Sequence, residues 1–180
     1  PPHSAAAAAS VIEALREPIL RISREVWPMA ELSLHEAKSA GLYIREIEVQ
    51  GFRIASRDTA GVPTLVEWSQ GSGSARIGHL PEHDARPGLG NAAQPRQVPG
   101  PTGAEVGHGR GHSMIGAGCT GAAFALKRMM QRAGTPGTIC IHGRAAEEAG
   151  GAKVYVARED LFADPDAALA WHPATVGGAG

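Results

Sequence analysis

The chain has 180 residues, and its 17 lysines and arginines nearly balance 18 aspartates and glutamates, giving a formal net charge of −1. This length is typical of one compact domain, and the near-neutral charge argues against a nucleic-acid-binding surface as its main role. With 43% hydrophobic and 19% charged residues, the composition excludes a disordered chain. Aromatic residues make up only 4%, beside 24 glycines and 13 prolines, which predicts an aliphatic core with many tight turns.

Two features of the sequence bear on location. Cys119 and Cys140 both lie in apolar stretches, which is typical of reduced core thiols in a cytoplasmic protein. The alanine run at 5–9 has no basic residue before it, and the longest apolar stretch, 114–126, falls short of the roughly 20 residues that a membrane span requires. We therefore expect a cytoplasmic protein with neither a membrane nor a nucleic acid as partner.

The first 51 residues predict two helices. Apolar residues at helical spacing indicate an amphipathic helix that begins near Ser4 or Ser10, bends at Pro18 and ends at Trp27-Pro28. Ser33 and Glu36 then have the spacing of a capping box, in which the hydroxyl binds a backbone N–H and the carboxylate reaches back. This pattern predicts a second helix, which ends at Gly51.

The rest of the chain predicts strands that alternate with helices. Short β-branched runs predict three strands, over 52–55, 64–68 and 75–80, with turns at 61–63 and 71–73. A helix is predicted from His112 or Ser113 to Gly134, followed by a strand over 138–142, a helix over 151–159 and a strand over 167–171. This order favours an α/β fold in three layers, helix, sheet and helix, with a mostly parallel central sheet.

Three further segments have distinct compositions. Residues 86–111 are rich in Gly, Pro and polar residues over a length that exceeds an ordinary connection, which is typical of a functional or a disordered loop. Residues 174–180 are predicted as a flexible tail. Gly116, Gly118 and Gly121 would weaken an isolated helix, so we expect close packing against a sheet or a neighbouring backbone there.

Acidic residues and histidines cluster at predicted strand ends and at one helix start. The clusters are Glu82-His83-Asp84, the run from His108 to His112, and Glu147-Glu148 together with His172. Carboxylates and imidazoles that converge from separate strand ends can bind zinc and leave one carboxylate as a general base. Simpler readings stay open: a solvated acidic helix start for Glu147-Glu148, a flexible polar loop for 108–112, and a packed side chain for His172.

Four segments containing these clusters, taken together, resemble one known family in order and spacing. They are the Glu82-His83-Asp84-Ala-Arg-Pro-Gly-Leu segment, Gly107-His-Gly-Arg-Gly-His112-Ser, Ala146-Glu-Glu-Ala-Gly-Gly-Ala-Lys-Val154, and Ala168-Leu-Ala-Trp-His-Pro173. The family is the dinuclear zinc amidohydrolases and metallopeptidases that include aminoacylases, carboxypeptidase G and auxin-conjugate hydrolases. Within it, the chain is most similar to the branch formed by the B-type subunits of aminobenzoyl-glutamate hydrolase. The resemblance extends from Trp27 to His172 and covers the amino-terminal portion of the family's catalytic domain.

The resemblance implies a role for each matching residue. His112, Glu148 and His172 would be ligands of a divalent metal, zinc or alternatively manganese or cobalt. Glu147 would be the catalytic base, and Asp84 would orient a ligand histidine and so fix its tautomer. The implied reaction is hydrolysis of an amide bond in an N-acyl amino acid or an aminobenzoyl-glutamate-like small molecule. The resemblance indicates no substrate-binding residue.

Two departures from the family pattern define an alternative. Arg110 stands where the family has a cysteine that holds the metals, and a guanidinium cannot act as a ligand, so Arg110 would block or border the site. The family also continues into a lid domain and a last histidine ligand, so residues 1–180 form an incomplete catalytic domain that lacks the lid. We therefore expect a homo-oligomer or a partner chain that supplies the missing half. The alternative is a catalytically inactive, truncated or degenerate relative that acts as a binding or assembly module.

Overall fold

A computed structural model describes residues 4–55, 66–70 by their backbone, 73, 75–100, 105–143, 145–149, 154, 157–158 and 165–173. Four helices lie in these ranges: α1 (Ala5–Ala14), α2 (Arg16–Met29), α3 (Ala37–Val49) and α4 (His112–Ala133). The strands are β1 (Arg53–Ile54), β2 (Val66–Gln70), β3 (Arg76–His79), β4 (Arg86–Pro87), β5 (Val106–Gly107), β6 (Gly137–Ile141) and β7 (Ala167–Leu169).

The main sheet has five strands in the order β1-β2-β6-β3-β7. Strands β6, β3 and β7 are mutually parallel, as predicted for the second half of the chain, whereas β2 runs antiparallel to both of its neighbours, β6 and β1. The fold is therefore α/β with a three-stranded parallel unit. Because β3 and β6 are parallel neighbours joined through α4, the carboxyl end of β3 and that of β6 lie at the same edge of the sheet.

The core lies between the helices and the sheet. Helix α4 contacts β2, β3 and β6 on one side and packs against α1 and α2 on the other. The fully buried members of this core are mostly aliphatic, with one large aromatic; they include Leu15, Ile22, Leu42, Phe124 and Ile139. The predicted helix over 151–159 has helical residues at 154, 157 and 158, and the rest of it, like turn 61–63 and tail 174–180, lies outside the described residues.

The first predicted helix is in fact two helices. Ser4 caps α1 as predicted, because its hydroxyl accepts a hydrogen bond from the Ala7 N–H. The chain then breaks at Leu15 rather than bending at Pro18. Pro18 falls in the first turn of α2, where a missing N–H leaves no helical bond unmade. Helix α2 continues to Met29, and Ala30 ends it in a left-handed conformation.

The predicted capping box is wrong. Helix α3 begins after Glu36, which makes no side-chain cap, and the Ser33 hydroxyl donates to Asp84 instead. Both side chains bind segments that are distant in the sequence.

The described parts of the 86–111 segment, 86–100 and 105–111, include two short strands. Strands β4 and β5 pair antiparallel and form a two-stranded sheet at its base. Within it, Asn91 organises the chain, because its Oδ1 accepts from the Val98 N–H at 2.8 Å and its Nδ2 donates to the Ala92 carbonyl at 2.7 Å. An amide that bonds both ends of a short segment supplies the turn chemistry that this composition predicts.

Two of the three glycines of α4 are explained by close packing, as predicted. A methyl group on Gly116 would overlap the Glu82 carbonyl and the Tyr43 hydroxyl, and one on Gly121 would overlap Ile19. Gly118 is exposed, and a methyl group there would lie 4.0 Å from the Trp171 ring, which is ordinary van der Waals contact. Gly116 therefore allows α4 to approach the backbone at Glu82.

We predict opposite effects of alanine at Gly116 and Gly118. Gly116→Ala should lower the free energy of unfolding by about 1 to 3 kcal/mol, because the methyl group meets backbone that cannot move without shifting Glu82. Gly118→Ala, the matched control, should raise it by up to about 1 kcal/mol through helix propensity. Denaturant unfolding measures both changes, and equal effects would show that α4 does not approach Glu82 in this way.

Two further expectations can be compared with the structure. Cys119 and Cys140 are buried thiols that form no disulfide, as predicted for core thiols. Among the described residues, no helix is both long enough and apolar enough to cross a membrane.

Candidate metal centre

Three segments meet at the carboxyl edge of the parallel strands. Residues 82–84 follow β3, His112 opens α4, and the turn at 145–149 follows β6. Glu82, Asp84 and His112 are all buried there. The structure thus brings together members of all three clusters that the sequence singles out, from positions up to 66 residues apart (82 to 148), but not His172.

His112 is the centre of this group. Its Nδ1 lies 2.9 Å from Asp84 Oδ1 and 3.0 Å from the Asp84 backbone carbonyl, so this nitrogen donates and Nε2 keeps its lone pair in the neutral ring. Nε2 lies 3.4 Å from Glu82 Oε2, 3.8 Å from Glu148 Oε1 and 3.9 Å from Glu147 Oε2. Burial lowers the pKa of His112, but the Asp84 hydrogen bond and the surrounding carboxylates outweigh burial and hold the pKa above its ordinary value.

Asp84 links all three segments. Its Oδ2 accepts from the Ser33 hydroxyl at 2.7 Å and from the Glu148 N–H at 2.9 Å, while Oδ1 binds His112. Burial raises the pKa of Asp84, yet these three donors reverse the effect and hold the pKa below its ordinary value. An ionised carboxylate that receives the Nδ1–H of a histidine fixes the ring orientation, which is the geometry that the prediction for Asp84 requires.

The donor set fits a divalent cation. One ligand atom from each of Glu82, His112 and Glu147 lies within 4.8 Å of the other two, a spacing that a single ion can bridge. Glu148 adds a nearly buried carboxylate, and its Oε1 makes no hydrogen bond within the described part of the chain. Several carboxylates gathered around one imidazole repel each other unless a cation lies between them. The residues present therefore fit a metal.

Two arginines border the group on the side of Glu148. Arg110 Nε lies 3.6 Å from Glu148 Oε1, and Arg86 Nη1 lies 3.3 Å from Glu148 Oε2. Both guanidinium groups are about half exposed, whereas the Glu148 side chain is 9% exposed. Glu147 and Glu148 thus lie in a turn that faces the site, and they are not the solvated start of a helix.

Three other histidines, His172, His83 and His108, are not among the residues whose ligand atoms lie within 4.8 Å of one another. His172 is exposed, and its Nδ1 lies 2.9 Å from the neighbouring Pro173 carbonyl, so the structure does not bring it to His112. His83 is buried beside the Tyr43 ring at 5.4 Å, and burial lowers its pKa to about 4. His108 is buried beside Trp27, so the 108–112 run is not a uniformly flexible loop.

The sequence pattern does not reveal the roles of three residues at the site. It places Glu82 in a cluster without indicating a role, and it assigns Ser33 and Glu36 to a helix cap. Glu36 is 1% exposed, and its Oε1 accepts from the Ala146 N–H at 2.5 Å. Nothing in the local pattern could indicate these contacts, because Ser33 and Asp84 are 51 residues apart, and Glu36 and Ala146 are 110 residues apart.

Comparison with known proteins identifies the class of this fold and site. The model of Peptidase family M20/M25/M40 matches residues 84–179, and the chain belongs to this family. It is 35% identical over 167 residues to p-aminobenzoyl-glutamate hydrolase of Escherichia coli (strain K12), in the subunit designated B, covering 93% of this chain and 34% of that protein. It is 27% identical over 177 residues to the Xaa-Arg dipeptidase of Mus musculus, covering 92% of this chain and 37% of that protein.

A solved structure supports the fold independently. A dinuclear metal binding peptidase of the M20 family from Bacillus subtilis superposes with a TM-score of 0.75 at 18% identity, over 90% of this chain and 44% of that one. The chain spans about a third of the length of the curated relatives it matches, so it represents a partial catalytic domain.

Proposed function

We propose that this chain takes part in metal-dependent hydrolysis of an amide bond in a small molecule, an N-acyl amino acid or an aminobenzoyl-glutamate-like compound. The observation that carries the proposal is the convergence of Glu82, Glu147 and Glu148 on the Nε2 of a histidine that Asp84 orients. The name of the Escherichia coli relative supplies the substrate class. A cavity of about 390 Å³, lined in part by Ser33, Arg86 and Glu148, adjoins the group and has the size of a small-molecule site.

In this proposal His112, Glu148 and His172 would hold the metal; the structure places the His172 side chain beside Pro173. Zinc suits these ligands, as do manganese and cobalt. When bound, the cation supplies Lewis-acid polarisation of the amide carbonyl and lowers the pKa of a water molecule. Asp84 keeps the Nδ1–H of His112 engaged, so that Nε2 faces the carboxylates.

Glu147 acts as the general base. Its side chain is 26% exposed, compared with 9% for Glu148, so it can reach both a water molecule and the substrate. It takes a proton from the attacking water and passes that proton to the leaving amine nitrogen. The 86–111 segment, which carries both bordering arginines, serves as the active-site loop.

A second candidate rests on the two arginines. Arg86 and Arg110 already face both oxygens of Glu148, so a cation from solution must compete with them for that carboxylate. This pairing favours a relative that has lost catalysis and acts as a binding or assembly module. In either case we propose assembly with a second copy or a partner chain that contributes the remaining ligands. The name of the Escherichia coli relative supports this proposal, because that relative is one subunit of its enzyme.

An assay with Glu147→Gln tests the hydrolytic function. The chain, loaded in turn with zinc, manganese or cobalt, is incubated with p-aminobenzoyl-glutamate and with N-acyl amino acids, and amine release is measured. We expect metal-dependent release that a chelator abolishes and that Glu147→Gln lowers by about 10² to 10⁴. Glu13→Gln, on the exposed face of α1, is the matched control and should keep full activity. Saturable binding of these compounds without release would support the binding module instead.

A further inference from the structure

We propose that Ser33 and Glu36 are positioning residues, which hold the Glu147-Glu148 turn and Asp84 in register with His112. Both belong to the α2–α3 connection, residues 30–36, which lies between Met29 and Ala37. The proposal deepens the function proposed above and depends on it only for the reaction that the positioned residues serve.

The α2–α3 connection is bonded to the segment between β3 and β4, which carries Asp84. The Ala85 N–H donates to the Glu31 carbonyl at 2.8 Å, and Leu32 and Ala85 form a parallel bridge. Leu34 adopts a positive φ of 67°, which a branched residue takes only when surrounding contacts impose it. The connection is therefore held in one conformation directly beside the site.

Glu36 contacts the turn that carries Glu147 and Glu148. Its Oε1 accepts from the N–H of Ala146, which is the residue before Glu147 and has a positive φ of 51°. A left-handed alanine is unfavourable and persists where neighbouring contacts determine the backbone. The hydrogen bond from the Ala146 N–H to Glu36 is such a contact. It restrains the backbone of Ala146, which sets the direction of Glu147 and Glu148.

Ser33 completes the arrangement through Asp84. Its hydroxyl donates to the same Oδ2 that accepts the Glu148 N–H, while the other oxygen of Asp84 holds His112. The two carboxylate oxygens thus fix the metal-facing histidine and the turn at the same time. Ser33 restrains the rotation of that carboxylate, and Glu36 restrains the turn from the opposite end.

The variants Glu36→Ala, Glu36→Gln and Ser33→Ala test this proposal, with Glu46→Gln as the matched control. Glu46 is also a buried glutamate, but its partner is Arg21 at 2.7 Å on α2, away from the site. The first readout is hydrogen exchange of the Ala146 and Glu148 amides by NMR without added metal. The second is zinc affinity, measured by calorimetry on folded protein.

In Glu36→Ala, the Ala146 amide should exchange at least about tenfold faster, and zinc should bind about 10 to 100 times more weakly. Glu36→Gln keeps an acceptor oxygen and should restore both values to within about threefold of wild type. Ser33→Ala, which removes a single hydroxyl, should weaken zinc binding without unfolding the chain, and Glu46→Gln should change neither readout.

Unchanged Ala146 exchange in Glu36→Ala would overturn the proposal, and so would faster exchange with zinc affinity unchanged. If Glu36→Ala does not fold, zinc affinity in Ser33→Ala equal to wild type would overturn it instead. A wild-type chain that binds no zinc would contradict the proposed function, whereas the exchange of Ala146 would still decide whether Glu36 positions the turn.

Discussion

Replacing Arg110 with cysteine is expected to tighten zinc binding by about ten- to a hundredfold. The guanidinium Nε lies 3.6 Å from Glu148 Oε1 and competes with any cation for that carboxylate. The substitution removes this charge and places a thiolate where the family pattern has a cysteine that holds the metals, and thiolates are strong zinc ligands. Calorimetry with zinc, at fixed pH and ionic strength, measures the change.

Arg110→Ala separates the two contributions. It removes the charge without adding a ligand, so its zinc affinity should fall between those of wild type and Arg110→Cys. Arg86→Ala removes the other cation that faces Glu148, at 3.3 Å, and should produce a gain similar to that of Arg110→Ala. If Arg110→Cys binds zinc no better than wild type, residue 110 does not border the metal position, and the ligand assignment fails with it.

Replacing Asp84 with asparagine should weaken zinc binding by at least about tenfold and lower the free energy of unfolding by about 1 to 3 kcal/mol. The Asp84 carboxylate accepts hydrogen bonds from three donors, the His112 ring, the Ser33 hydroxyl and the Glu148 N–H. An amide offers one acceptor oxygen and a donating nitrogen, so either orientation sets its NH₂ against one of these donors. Zinc calorimetry and denaturant unfolding measure the two losses.

Asp166→Asn is the control for Asp84→Asn. Asp166 also accepts a backbone N–H, that of Arg76 at 2.8 Å, but this bond is exposed and lies near the opposite end of β3. This substitution should leave zinc affinity unchanged. Equal zinc affinity in Asp84→Asn and wild type would show that the Asp84–His112 contact does not orient a metal ligand.

Those parts of the fold that depend on local patterns could be predicted from the sequence. The apolar period and terminal glycine of α4 mark that helix, and the β-branched run before His142 marks β6, since both signals lie within a few residues. The antiparallel direction of β2 could not be predicted, because side-chain alternation carries no information on strand direction. The break at Leu15 is hidden in the sequence because the apolar spacing continues through it.

In the candidate site, too, some contacts could be predicted from the sequence and others could not. The resemblance indicates that Asp84 orients a ligand histidine, and the structure places Asp84 2.9 Å from His112, which lies 28 residues further along the chain. Ser33 and Glu36 fit a local capping pattern, but they bind distant segments instead because the buried polar atoms of those segments require donors and acceptors. The metal-binding role of His172 stays a prediction, since its side chain is exposed beside Pro173.

The most direct test of the metal centre is the zinc content per chain after purification without chelator and dialysis against zinc. Elemental analysis should find about one zinc per wild-type chain and much less in His112→Ala, because His112 is the ligand that we propose at the centre of the group. Glu13→Gln, which changes an exposed side chain of α1, should retain the wild-type content. A wild-type chain without zinc, or His112→Ala with as much zinc as wild type, would contradict the metal centre described here.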